Sequence, residues 1–232
     1  MNKTISKSQI DRLGERLKKG KSSEADLQLL EQYRQSFGAA YEIVRNAIRE
    51  KLSLETTGRQ KTTQSIVDKL RRESIRLTQI QDIAGCRLLV SDIAHQNEVV
   101  ASLRNHFEDV TIVDRRENPS HGYRAVHVIV RCEGRLIEIQ VRTALQQLWA
   151  ELSEKLADIF GQEVKYGGGT DEIQHVLQKC STMVSDYEVD VERVNQLQRT
   201  HTSTSVLKEL NDLRKSLLAE KLEIVQFLHK LM

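Results

Sequence analysis

The sequence predicts an α/β chain of the α+β kind, and three observations carry the prediction. Residues 83–90, 110–114, 124–131 and 135–142 are short runs rich in Val and Ile, the composition and alternation of half-buried strands. Around them, apolar residues recur at helical spacing. A single proline, 4% aromatic residues and many Leu, Gln, Glu, Lys and Arg favour helix elsewhere.

Taken in order, Ile10, Leu13 and Leu17 mark a short first helix. Leu30, Phe37, Tyr41, Val44 and Ile48 then recur at steps of seven, four, three and four, which predicts one long amphipathic helix over 24–52, started by Ser23 with Asp26. Thr56-Thr57-Gly58 breaks it. A basic helix follows over about 62–77, with Lys61, Ser65, Lys69, Arg72 and Arg76 on one face and Ile66, Leu70 and Leu77 on another. Val99, Val100, Leu103 and Phe107 predict a helix between the first two strands, and Leu145, Leu148, Trp149, Leu152, Leu156 and Ile159 predict another after the last. Tyr166-Gly167-Gly168-Gly169 lacks the Lys-Ser/Thr ending of a phosphate-binding loop and reads as a flexible joint.

Beyond it, Ile173, Leu177, Cys180, Val184, Tyr187, Val191 and Val194 alternate steps of four and three. Val206, Leu210, Leu213, Leu217, Ile224, Phe227 and Leu231 repeat the pattern, broken by Glu220. Two coiled-coil-like helices joined near Thr202-Ser203-Thr204 hide these seams as an antiparallel hairpin or in a two-chain bundle. The chain therefore divides into an N-terminal helical segment (1–58), a central domain (59–166) and a C-terminal helical extension (167–232).

Composition narrows the function classes. The 232 residues suffice for a full core, and a net charge of +2 is too small to argue for bulk nucleic-acid binding. No apolar run approaches the roughly 20 residues of a spanning helix. The polar stretch Met1 to Lys21 lacks the apolar segment of a secretory signal, so the cytoplasm is expected. Cys86, Cys132 and Cys180 are odd in number and far apart, which suits reduced thiols better than disulfides or a metal site.

Candidate chemistry collects on the strands. Alternation over 138–143 puts Ile139 and Val141 on one face and Glu138, Gln140 and Arg142 on the other. A two-residue loop, Glu133-Gly134, sets a register that pairs His127 with Gln140, so Tyr123, His127, Glu138, Gln140 and Arg142 share a side of the sheet. Tyr123, just after Gly122, can offer its ring as a stacking platform. The cationic stripe is either a solvated face or a polyanion cradle, and Asp82 with Arg87 close behind it favours the cradle. In an unbroken strand Asp82 and Arg87 would face apart. Shared work needs Asp82 at the strand entrance or a bulge at Gly85.

These residues also spell a family. Arg59-x-Lys61-x-x-x-Ser65-x-x-x-Lys69, Asp82-Ile83-Ala84-Gly85-Cys86-Arg87, Gly122-Tyr123-Arg124-Ala125-Val126-His127, Glu138-Ile139-Gln140-Val141-Arg142-Thr143 and Trp149-Ala150 resemble, in order and spacing, the RelA/SpoT-type alarmone synthetases, the small single-domain members most of all. The resemblance implies a mixed β-sheet flanked by helices, nucleotidyltransferase-like, and transfer of pyrophosphate from ATP to the 3′-hydroxyl of GDP or GTP. It implies Mg2+, with Mn2+ as a substitute, held by Asp82 and Glu138. Glu138 suits either that metal or the role of orienting the hydroxyl and accepting its proton. Arg59 and Arg87 would sandwich adenine, while Lys61, Ser65 and Lys69 hold the ATP phosphates. Tyr123 would stack on guanine, with His127, Gln140, Arg142 and Gln147 lining the acceptor side.

Departures touch the acceptor. Gln147 stands where relatives often carry Asn, Ser153-Glu154 where they often carry Glu-His, and the loop before Gly122 lacks its usual lysine, although Arg115 and Arg116 are close. The 3′ end of tRNA is thus an alternative acceptor, with Arg71, Arg72 and Arg76 as contacts. A non-catalytic scaffold is a third reading, and the C-terminal helices suit a homo-oligomer or a protein partner.

Overall fold

The first two helices begin by the same device. In α1 (Lys7–Lys18) and α2 (Glu24–Gln35), Ser6 and Ser23 accept from the backbone N–H three residues on, while Gln9 and Asp26 reach back to the serine N–H. Asp26 also receives the Arg16 guanidinium, with Nη2 at 2.6 Å, tying α1 to α2. In this computed structural model residues 5–200 and 204–232 are described. Met1 to Thr4, the start of the stretch read as free of a signal, and the joint expected at Thr202-Ser203 lie outside the described residues.

The long helix predicted over 24–52 is two helices. α2 stops at Gln35 and α3 runs Gly38–Leu52, because Ser36 turns its hydroxyl onto the Tyr33 carbonyl at 2.5 Å and Gly38 is a poor helix former. Spacing missed the turn because Leu30, Phe37 and Val44 are all buried across it.

The Thr56-Thr57-Gly58 break opens β1 (Thr57–Gln60), which pairs antiparallel with β2 (Ala84–Val90), Arg59 opposite Gly85. Four residues without apolar alternation give no strand signal; backbone pairing makes the strand. The basic helix α4 (Thr63–Glu73) is shorter than predicted, since Ser74 takes a left-handed conformation at φ 51°. A 3-10 turn, Leu77–Gln79, follows.

Next come α5 (Ile93–His106), β3 (Val110–Asp114), β4 (Val126–Cys132) and β5 (Arg135–Thr143). Glu133 and Gly134 form the expected two-residue hairpin loop, both at positive φ (47° and 70°). Among the described residues the sheet has the order β1-β2-β5-β4-β3, a mixed α+β arrangement as predicted. Helix α6 (Ala144–Phe160) leaves the end of β5, Thr143 serving as its N-cap. A 3-10 segment (Gln162–Tyr166), α7 (Asp171–Thr200) and α8 (Thr204–Leu231) complete the chain.

Two compact units emerge. The first comprises 1–88, 102–112 and 128–140, the second 89–101, 113–127 and 141–232. In the first, α1 packs on α2, α4 and the 3-10 turn. Asp11 accepts from the Thr78 N–H and hydroxyl there (3.2 and 2.6 Å), and Gly14 is small enough to let Leu77 close. Arg135 lies over the Tyr33 and Phe37 rings, 5.5 and 5.0 Å from their centroids.

In the second unit, Leu145, Trp149 and Leu152 of α6 share a core with Leu177, Cys180 and Val184 of α7 and Ile224 and Leu228 of α8. Val194 meets Leu210 and Leu217 farther along, so α7 and α8 pair antiparallel within the chain. The seam on α8 is offset from the predicted one: Leu213 and Phe227 are exposed, and Leu228 is buried instead. The triple glycine is a fastened turn rather than a free joint, since Gln174 Nε2 donates to the carbonyls of Val164 and Gly168 (2.8 and 2.7 Å). No described helix is long and apolar enough to cross a membrane.

Candidate active site

In the first unit, Thr62 caps α4 by accepting from the Ser65 N–H at 3.1 Å, and its hydroxyl meets that of Ser65 at 2.9 Å. Lys61 stands just before this helix start, its own N–H bonded to the Ile83 carbonyl at 3.2 Å. One helical turn after Ser65 comes Lys69. Asp82 lies two residues ahead of β2, outside the strand's alternation, which resolves the opposite parity of Asp82 and Arg87 by the entrance route. Both lysines converge on it, Lys61 Nζ on Oδ2 at 3.1 Å and Lys69 Nζ on Oδ1 at 3.0 Å. The cluster joins two ammonium groups to Asp82, with Glu73 a further 3.8 Å from Lys69 Nζ, beside the N-terminal end of a helix dipole that favours phosphate oxygens.

Glu138, on β5, is buried and accepts from Gln140 Nε2 at 2.7 Å. Gly85 lets β2 approach here, since any side chain would run into the Glu138 carbonyl. Neighbouring Cys86 is pushed up to about 12, by burial first and by the Glu138 charge second, so its thiol is inert near neutral pH. Arg87 is half-buried on β2 opposite Thr57. The backbone of Arg59 sits in β1, while its side chain lies outside the described ones. Asp82 and Glu138 both belong to this unit, and Asp82 already turns its two oxygens to cations. Among the described residues no group of three or more His, Cys, Asp or Glu gathers to hold a metal, although a magnesium ion needs only one or two carboxylates beside phosphate and water.

The second unit gathers the other predicted residues into a chain of hydrogen bonds. Tyr123 Oη meets His127 Nε2 at 2.8 Å and accepts from Arg142 Nη2 at 2.7 Å. Arg142 Nη1 donates to Gln147 Oε1 at 2.8 Å, and Gln147 Nε2 donates to Glu151 at 2.6 Å. The Arg142 guanidinium also lies 5.1 Å from the Tyr123 ring centroid, and the His127 ring stands edge-on to it. Glu151, one helical turn after Gln147, extends this chain and was not singled out from sequence; the i, i+4 spacing was the available signal.

Trp149 is structural, its Nε1 donating to the Leu177 carbonyl at 2.8 Å. At the departures from the family pattern, Ser153 is buried and Glu154 pairs with Lys165 at 2.7 Å. Arg116 holds Asp114 and the side chains of Gln96 and Asn97, committing it to the fold.

Comparison with known proteins places the chain in a family. The model described as a region found in RelA / SpoT proteins matches residues 58–157. An uncharacterized protein of Mycobacterium tuberculosis is 40% identical over 117 residues, 49% of this chain; the match spans only 43% of that relative's length. GTP pyrophosphokinase YjbM of Bacillus subtilis is 33% identical over 157 residues, 60% of this chain and 70% of that protein. The crystal structure of small alarmone synthetase 1 from Bacillus subtilis shares the fold with a TM-score of 0.61 at 23% identity, covering 75% of this chain and all of that one. With a family model over residues 58–157 and a relative 33% identical that it covers to 70%, this chain belongs to the RelA/SpoT family.

Proposed function

We propose that the chain transfers the pyrophosphoryl group of ATP to the 3′-hydroxyl of GDP or GTP, producing (p)ppGpp and AMP, with residues 59–166 as the synthetase domain. The observation that carries this reading is the Lys61–Asp82–Lys69 cluster at the start of α4, which suits a triphosphate. Likeness to a relative named GTP pyrophosphokinase supports the guanosine acceptor.

In this reading Lys61, Ser65 and Lys69 hold the ATP phosphates, and Arg59 and Arg87 flank the adenine. Glu138, oriented by Gln140, takes the proton of the attacking hydroxyl, a poor nucleophile until a base receives it. Asp82 and Glu138 would hold Mg2+, which supplies charge neutralisation on the transferred phosphates. Tyr123 meets the guanine, and Arg142, hydrogen-bonded to the Tyr123 hydroxyl, orients the acceptor together with His127, Gln140 and Gln147.

The basic flank that would suit a tRNA acceptor is engaged within the chain: Arg71 donates to the Lys18 carbonyl, Arg72 to Glu73 and Arg76 to Gln79. The test is ATP labelled at its β-phosphorus, offered with GDP, GTP and deacylated tRNA in separate reactions. Label on GDP or GTP with equimolar AMP is expected. Label on tRNA alone, or none on any acceptor, overturns the proposal.

A further inference from the structure

Helix α7 lies outside the segment that carries the family pattern, residues 58–157, yet it grips that segment at three points. The Leu177 carbonyl accepts from Trp149 Nε1. Ser181 Oγ donates to the Gly122 carbonyl at 2.6 Å and accepts from Arg124 Nε at 3.1 Å. The Glu188 carboxylate accepts from the Thr143 hydroxyl and from Gln146 Nε2, which lies 3.2 and 3.0 Å from its two oxygens. Leu177, Ser181, Val184 and Glu188 follow at steps of four, three and four, so they form one stripe along the helix.

The gripped residues are chain neighbours of the acceptor-side residues. Gly122 directly precedes Tyr123, Thr143 directly follows Arg142, and Gln146 directly precedes Gln147. Gly122, at φ 85°, is pressed so closely that a Cβ would come within 2.9 Å of Trp149 Cζ2 and 3.2 Å of Ser181 Cβ. Gln146 passes the contact on: its Oε1 accepts from Gln96 Nε2 at 3.0 Å, and the same Gln96 amide holds the Val141 carbonyl at 2.7 Å.

Ser181 is 1% exposed and Glu188 8% exposed, within a helix face otherwise built of Leu, Cys and Val. Burial pushes the Glu188 carboxyl up, against the bonds from Thr143 and Gln146, so the site bears a desolvation cost that an apolar residue would avoid. What a serine and a glutamate add there is directional hydrogen bonding, which fixes where Gly122, Thr143 and Gln146 sit.

We propose that Ser181 and Glu188 are positioning residues for the acceptor nucleotide, holding Tyr123, Arg142 and Gln147 in place from α7; this rests on the pyrophosphoryl-transfer reading above. Their loss loosens acceptor binding and leaves the ATP-side residues of the other unit as they are.

The test uses the full chain with Ser181→Ala, Glu188→Ala and Glu188→Gln, each checked for wild-type circular dichroism. Ser181→Ala and Glu188→Ala should raise KM for GDP about tenfold, a change of about 1.4 kcal/mol, with KM for ATP unchanged. Glu188→Gln should recover most of the loss, because its amide oxygen still accepts from Thr143. Equal rises for both substrates, or no rise in folded variants, overturn the proposal. Should Glu188→Ala fail to fold, Ser181→Ala, which removes one oxygen, decides alone.

Trp149 is the single tryptophan of the chain and reports the grip without any substrate. Ser181→Ala should shift its emission to the red and increase quenching by acrylamide; unchanged emission counts against the grip. If the wild type makes no product from GDP or GTP, the reaction assignment fails by itself, and the Trp149 result still decides whether α7 holds the Gly122 turn.

Discussion

The residues proposed for ATP and those proposed for the acceptor are built on opposite principles. The first set is held by charge: two lysines on Asp82, all three side chains less than a fifth exposed. The second is held by directional hydrogen bonds around an aromatic ring, with buried Arg142 spanning Tyr123 and Gln147 and a distant helix bracing the turns on either side. Charge tolerates small displacements because Coulomb attraction falls off gradually, whereas hydrogen bonds fail within about half an ångström. A triphosphate can be gripped by loose cations, but a base and a ribose need a fixed frame.

The largest break in this contrast is expected at Glu138, the buried carboxylate assigned to chemistry rather than binding. Glu138→Gln should lower product formation about a thousandfold while ATP binding, measured by calorimetry, is kept. Retained turnover would remove Glu138 from its role, and lost ATP binding would move it to the substrate grip.

The smallest effect is expected outside both sets, at the Arg16–Asp26 pair. The Arg16 hydrogen bond, then the Ser23 backbone, holds the Asp26 carboxyl at about 2, below its ordinary 3.8. A depressed carboxyl stabilises the fold above its unfolded pKa and ceases to as pH falls through the folded one. Asp26→Asn should therefore lower the melting temperature by roughly 2 °C at neutral pH, since the Arg16 side of the pair is open to solvent and screening. The gap should close between pH 3.8 and about 2, and a gap of constant size across that range would show that the charge contributes nothing.

What could be read from sequence follows the same contrast. Lys69 and Asp82 are 13 residues apart, on a helix and at the mouth of the next strand, so helical spacing and one turn bring them together on paper. Four of the strands were legible because alternation marks a half-buried ribbon; β1 was not, because Thr57 to Gln60 carry no apolar alternation and are placed by their pairing with β2. The break at Ser36-Phe37 escaped notice because burial continues in phase across it. The bracing from α7 was out of reach: Ser181 finds Gly122 across 59 residues and Glu188 finds Thr143 across 45. A trace of it stands in the chain, two polar residues seven apart on the flank of an otherwise apolar stripe. The apolar steps of α8 likewise named the right helix but not its buried edge, because the period past Glu220 does not say whether Phe227 or Leu228 turns inward.

The division of labour between the two residue sets is tested most directly by the Michaelis constants of Lys69→Ala and Tyr123→Ala for ATP and for GDP, measured side by side. Lys69→Ala should raise the constant for ATP and spare that for GDP, and Tyr123→Ala should do the reverse. Both variants raising the same constant, or the two patterns exchanged, would contradict it.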